Sequence, residues 1–144
     1  MLLNIKEIVY QSDEYHSELA LRDRILRKPL GLSLYDEKLD QEQQDVHLGA
    51  FQNGALLGVL ILTKLEHGDF KMRQVAVDEH FHGHGIGKRL VLHAEEYARK
   101  KGASRIVLHS RNTAIVFYEK LGYQTVGEEF TEVTILHKKM LKQL

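Results

Sequence analysis

The run His82-Gly83-His84-Gly85-Ile86-Gly87 constrains this chain more than any other stretch. Its alternating glycines follow the strand-like Gln74-Val75-Ala76-Val77 and precede a segment in which Ile86, Leu90, Ala94, Tyr97 and Ala98 recur at helical spacing. A strand, a glycine loop and an exposed helix start make an anion cradle. The first helical N–H groups lack intrahelical partners and lie at the positive end of the helix dipole. Spacing excludes two familiar versions of such a loop. A dinucleotide loop requires Gly-x-Gly-x-x-Gly, but here the glycines fall at 83, 85 and 87, with no acidic-ended second strand at the right distance. A triphosphate loop requires Gly-x-x-x-x-Gly-Lys-Ser/Thr. Here Gly87-Lys88 is followed by Arg89, and His82 stands where the first glycine is needed.

The rest of the chain reads as one domain, residues 1–144, able to bury a core: 43% of its residues are hydrophobic. Lysine plus arginine and aspartate plus glutamate number 20 each, so no net field attracts nucleic acid or an anionic membrane. The longest apolar run, Ala55 to Leu62, is too short to span a bilayer. Met1-Leu2-Leu3 is followed at once by Asn4, Lys6 and Glu7, so no leader is expected and the cytoplasm is the expected location. The absence of cysteine removes disulfides, zinc-thiolate sites and a cysteine acyl-enzyme together. Residues 3–10 read as a strand, and Ser12 or Asp13 caps a helix running to about Lys28, ended by Pro29 and Gly31. Asn53-Gly54 joins two strands, residues 46–52 and 55–65, as a hairpin, the second of them central because it is apolar on both faces. Residues 70–77 and 105–109 are further strands. Gly102 closes the helix after the glycine loop, with Glu95, Glu96, Arg99 and Lys100 facing away from its apolar stripe. A short helix begins at Asn112 or Thr113, and residues 123–126 and 131–140 supply two last strands.

The glycine run resembles the acyl-CoA loop of the GNAT N-acetyltransferase family, Gln/Arg-x-x-Gly-x-Gly/Ala between the fourth strand and the next helix. His82 departs from the usual Arg or Gln. Ala114-Ile115-Val116-Phe117-Tyr118-Glu119-Lys120-Leu121-Gly122-Tyr123 is similar to that family's Ala-x-x-Phe-Tyr-x-Lys-x-Gly-Phe/Tyr segment. The resemblance covers residues 46–140 well and the earlier residues only as a strand-then-helices pattern. It implies an α/β fold with a mixed, mostly antiparallel central sheet flanked by helices. It also implies acetyl-CoA as donor and direct transfer, in a ternary complex, to a primary amine of a small molecule or peptide. By resemblance, the backbone of Val75, Ala76 and Val77 runs beside the pantetheine and aims an N–H at the thioester oxygen. His82, Gly83, His84, Gly85, Ile86, Gly87 and Lys88 hold the pyrophosphate, and Tyr118 is the general acid for the departing thiolate. Arg111 and Asn112 are further cofactor contacts. The family often places an asparagine where Arg111 stands, and Asn112 is one position off, where it serves equally as a helix N-cap.

Other residues carry weaker readings. His80, His82 and His84 alternate as metal ligands would, with His93 or a carboxylate as a further donor, but an anion loop needs no metal and none is assigned. Arg22, Arg24, Arg27 and Lys28 read either as a solvated helix face paired with Asp23 or as a handle for an acidic acceptor. Glu132 or His137 could relay the proton of the amine, with no base assigned. The rival to an enzyme is an acyl-CoA-binding regulatory module without turnover; a homodimer is compatible with either.

Overall fold

In a computed structural model describing residues 2–144, the chain forms one seven-stranded sheet with helices on both faces. Met1, which opens the segment read above for a leader, lies outside the described residues. In chain order the elements are β1 (Asn4–Glu7), α1 (Asp13–Leu26), β2 (Val46–Gln52), β3 (Ala55–Lys64), β4 (Phe70–Val77), α2 (Ile86–Lys100), β5 (Arg105–Arg111), α3 (Ile115–Lys120), β6 (Gln124–Glu132) and β7 (Ile135–Gln143). The spatial order is β1-β2-β3-β4-β5-β7-β6, and every neighbouring pair is antiparallel except β4 with β5. The mixed, mostly antiparallel α/β sheet expected from the sequence is therefore the one formed.

Local chemistry explains most boundaries. The Ser12 side chain accepts from the N–H of Tyr15 at the start of α1. Beyond Arg27 the chain tightens into a single 3-10 turn, Lys28–Leu30, and leaves it through Gly31 at φ +73°. The hairpin at Asn53 and Gly54 forms with both residues at positive φ. Helix α2 lies directly on β3, where Gly58 makes room: a Cβ there would sit 2.9 Å from Leu90 Cδ1 and 3.0 Å from Ile86 Cγ2. One core joins α2 and α3 to the sheet through Leu60, Leu62, Met72, Leu90, Ala94 and Tyr118, and a second packs α1 on the other face through Tyr15, Leu19, Val59 and Ala76.

Four expectations need correction. The first strand spans only Asn4–Glu7; Ile8, buried in the core beneath α1, makes one more bond to β2, from its N–H to the His47 carbonyl at 2.8 Å. Of the last two strands, the first is longer than read and takes in Thr131 and Glu132, the second is shifted toward the C-terminus, and they turn at Val133 and Thr134, both at positive φ, without the glycine or asparagine that marks such a turn. The short helix does begin at Asn112, as a 3-10 turn over Asn112–Ala114 that runs into α3 at Ile115, but Asn112 is not its cap, and the Asn112 amide donates to Glu129 Oε2 at 3.0 Å. Glu95 does not face away from the apolar stripe. It is buried, accepts from the Tyr123 hydroxyl at 3.0 Å and pairs with Lys142 Nζ at 3.0 Å.

Candidate active site

The site begins where the sheet comes apart. β4 and β5 pair at only three positions, Phe70 with Ile106, Lys71 with Val107 and Met72 with Leu108. Just beyond, β4 bulges against β3, with Gln74 at φ +57°, an unusual conformation for a residue with a side chain. β5 instead follows β7 as far as Arg111 opposite His137. The two parallel strands diverge, and a cavity of about 310 Å³ opens between them. No residue of β4 after Met72 has a ladder partner on β5, so this edge of Val75, Ala76 and Val77 is not used by the sheet.

A buried polar network supports the bulge from below. Arg22, entirely buried, donates to Glu18 Oε2 at 2.8 Å, to both Glu42 oxygens at 2.9 and 2.6 Å, and through Nε to Gln74 Oε1 at 3.3 Å. Tyr15 donates to Glu42, and His47 bridges Glu18 and the Glu42 carbonyl. Arg22 is therefore not part of a solvated helix face. The sequence signal was Glu18 and Arg22 at i and i+4 beside buried Tyr15 and Leu19. Arg24 and Lys28 are exposed, with Arg24 Nε 3.1 Å from Glu79, while buried Arg27 pairs with Glu37 at 2.6 Å.

The glycine loop leads from β4 to α2. Gly83 and Gly85 have φ of +83° and +76°, and a Cβ on either would meet nothing within 4 Å. Gly85 is the N-cap of α2 and offers no side chain to the first-turn N–H groups. Gly87 has a packing role, since a Cβ there would lie 3.3 Å from Phe117 Cζ. The helix start and α3 are thereby held together. Ile86 is buried, whereas His82, His84 and Lys88 are exposed.

The three loop histidines have three different neighbours. His80 Nδ1 lies 3.1 Å from Asp78, His84 packs edge-on against Phe81, and His82 Nε2 donates to the Val77 carbonyl at 3.1 Å. His82 thus ties the loop back to the strand that feeds it. The N–H of His80, donated to Asp78 at 2.9 Å, holds that carboxyl below the usual carboxylate range.

Tyr118 projects from α3 into the core and lines the cavity. Its ring meets Phe117 and Tyr123 edge-on, at centroid distances of 5.0 and 5.8 Å. Only 7% of the residue is exposed, and its hydroxyl bonds to none of the described residues. Burial raises the phenol above its ordinary pKa of 10.0 and keeps it protonated. Arg111, at the end of β5, donates through Nη2 to the Leu26 carbonyl at 2.7 Å, joining the cavity wall to the end of α1.

The sequence reading passed over Lys71, Arg73, Gln74 and His109, all of which line the cavity. Glu132 and His137, noted for their position, join them there. His109 Nδ1 is 3.0 Å from Glu132, and His137 Nε2 is 3.8 Å from it. Burial alone would raise the Glu132 pKa, but His109, with His137 and Lys71 behind it, outweighs burial and lowers it. These residues are far apart in sequence, and only strand pairing brings them to one wall.

The profile of the acetyltransferase (GNAT) family matches residues 12–123. An uncharacterized N-acetyltransferase of Bacillus subtilis, YitI, is 27% identical over 135 residues, covering 90% of this chain and 87% of its own length. Among solved structures, an acyl-CoA N-acyltransferase from Pseudomonas aeruginosa superposes with a TM-score of 0.82 at 22% identity, covering 98% of each chain. An aminoglycoside 6'-N-acetyltransferase complexed with coenzyme A does so with a TM-score of 0.79 at 18% identity, covering 97% of this chain and 96% of that one.

Proposed function

Because this chain belongs to the acetyltransferase (GNAT) family, we propose that it is an N-acetyltransferase passing acetyl from acetyl-CoA directly to a primary amine of a small molecule or peptide. One observation carries this reading: the uncapped start of α2, behind two left-handed glycines, flanks the same strand divergence that holds the Tyr118 hydroxyl, which has no partner among the described residues. The residues fit the cofactor. Gly83 and Gly85 leave open space where a polyanion must approach, and Lys88 adds a cation in the first turn. Residues His82 through Lys88 would hold the pyrophosphate, and the free edge of Val75, Ala76 and Val77 would lie along the pantetheine. Asn112, exposed beside Glu129, would touch the cofactor at its margin.

Acetyl-CoA supplies an acetyl group activated as a thioester. The chain then has three tasks: to align an amine with that carbonyl, to stabilise the oxygen as it gains charge, and to protonate the departing sulfur. Alignment makes a bimolecular step effectively unimolecular. The free N–H groups of β4 serve the oxygen. Tyr118 serves the sulfur, because its proton is held by burial and engaged by no other described group. The C–N bond forms as the C–S bond breaks, one proton leaves the amine and one joins the thiolate. With no cysteine in the chain, a thiol acyl-enzyme has no place.

No helix among the described residues is long and apolar enough to cross a membrane, and we place the activity in the cytoplasm. The deciding experiment measures release of free thiol from acetyl-CoA against a panel of amines, beside calorimetry with CoA. Thiol release that depends on the amine supports the enzyme. CoA binding with no turnover across the panel would favour the regulatory module, and absence of CoA binding would refute both.

A further inference from the structure

The cavity is lined by four cationic side chains, Arg27, Lys71, Arg73 and Arg111, against two carboxylates, Glu37 and Glu132. Their partners are unevenly shared. Arg27 is neutralised by Glu37 at 2.6 Å, and Arg73 reaches Asp45 at 3.8 Å. Glu132 is engaged by His109 and approached by His137. Among the described residues, Lys71 and Arg111 have no carboxylate within ion-pair distance; the one hydrogen bond of the Arg111 side chain goes to a backbone carbonyl.

Both cations project to one side of the sheet. Met72 and Leu108, beside them in sequence or register, belong to the core beneath α2, so strand alternation puts Lys71, His109 and Arg111 on the opposite face, toward α1. Partly buried positive charge without a counter-ion is costly, and the cost is lowest when a ligand brings the anion. Burial lowers the pKa of both groups: Glu132, beyond ion-pair distance, offsets this only in part at Lys71, and the charge of Arg27 adds to it at Arg111.

We propose that the acceptor amine carries a carboxylate or phosphate in the same molecule, which enters the cavity on the α1 side and is neutralised by Lys71 and Arg111. This rests on the acetyl-transfer reading above and deepens it. The arrangement has a chemical benefit at the nitrogen: neighbouring positive charge disfavours ammonium, so it shifts the acceptor toward the free amine that attacks. A purely cationic amine gains no such compensation and is repelled.

The test uses matched acceptors with the full-length protein. Initial rates of thiol release are compared for an α-amino acid against its carboxamide, and for phosphoethanolamine against ethanolamine. The two pairs separate carboxylate from phosphate. The carboxamide has the more acidic ammonium and hence more free amine, so intrinsic reactivity works against the expected result. The anionic member of at least one pair is expected to lead by about tenfold or more in kcat/KM, mainly through KM. Lys71→Gln should shrink that ratio about tenfold, and Lys71→Arg should retain most of it. Equal rates within both pairs, or a lead for the members that lack the anionic group, would overturn the proposal while leaving acetyl transfer intact. If CoA itself fails to bind by calorimetry, the acetyl-transfer reading falls and this one with it. A Lys71→Gln variant that is folded and keeps the full ratio would remove Lys71 from the site.

Discussion

Replacing Tyr118 with Phe separates chemistry from architecture more cleanly than any other single change. The ring would keep its edge contacts with Phe117 and Tyr123, and the lost oxygen has no hydrogen-bond partner among the described residues. Stability should therefore change by less than about 0.5 kcal/mol. If the phenol protonates the departing sulfur, the chemical step should slow about a hundredfold, or about 2.7 kcal/mol of barrier. CoA affinity should hold, because the hydroxyl is used only as the C–S bond breaks. Tyr123→Phe is the matched control. Its hydroxyl donates to buried Glu95, so its loss should cost about 1.5–3 kcal/mol of stability with little direct effect on chemistry. Burial holds the Tyr118 phenol protonated, so the wild-type advantage over Phe should not titrate near neutral pH. Single-turnover rates with saturating acetyl-CoA, together with thermal melts of all three proteins, provide the comparison. A Tyr118→Phe variant with the wild-type single-turnover rate would refute the assignment and leave Tyr118 as a core residue.

Three further outcomes are expected. Gly85→Glu puts a β-carbon and a negative charge at a left-handed position open to the ligand, so CoA binding should be lost while the circular dichroism of the fold is retained; a folded variant that binds CoA normally contradicts the cradle. Burial opposes charge on His47, but the Glu18 hydrogen bond outweighs it and raises the pKa above 6.5. The resulting stability should be complete below about pH 6.5 and fade as pH rises through the higher folded value, so His47→Gln should flatten this part of the Tm-against-pH curve. His82→Ala frees the loop from the Val77 carbonyl and should weaken CoA binding by about three- to tenfold, whereas His82→Gln, which keeps a side-chain N–H donor, should recover much of it; calorimetry at one pH decides.

The sequence was most informative where function depends on backbone and local order. The glycines at 83, 85 and 87, the hairpin at Asn53 and Gly54, and the spacing of Ile86, Leu90, Ala94 and Ala98 each specify structure within a few residues of themselves, so strand, loop and helix were legible in succession. Tyr118 was reached through a local segment as well, although its role rests on resemblance. What the sequence left open depends on pairs distant along the chain. Glu95 lies on the same helix as residues that do face solvent, and only Tyr123, from the turn between α3 and β6, and Lys142, from β7, make its burial tolerable. Arg22 looked like one of four surface cations until Glu42, Glu18 and Gln74 closed around it. The opening between β4 and β5 has no sequence signature at all, since Val75 and Val77 are ordinary strand residues. It follows from a bulge at Gln74 on one side and the pairing of β5 with β7 on the other. Lys71, Arg111, His109 and Glu132 acquire a shared cavity only through that divergence, because a side chain's electrostatic surroundings are set by through-space neighbours that strand pairing, not chain order, supplies.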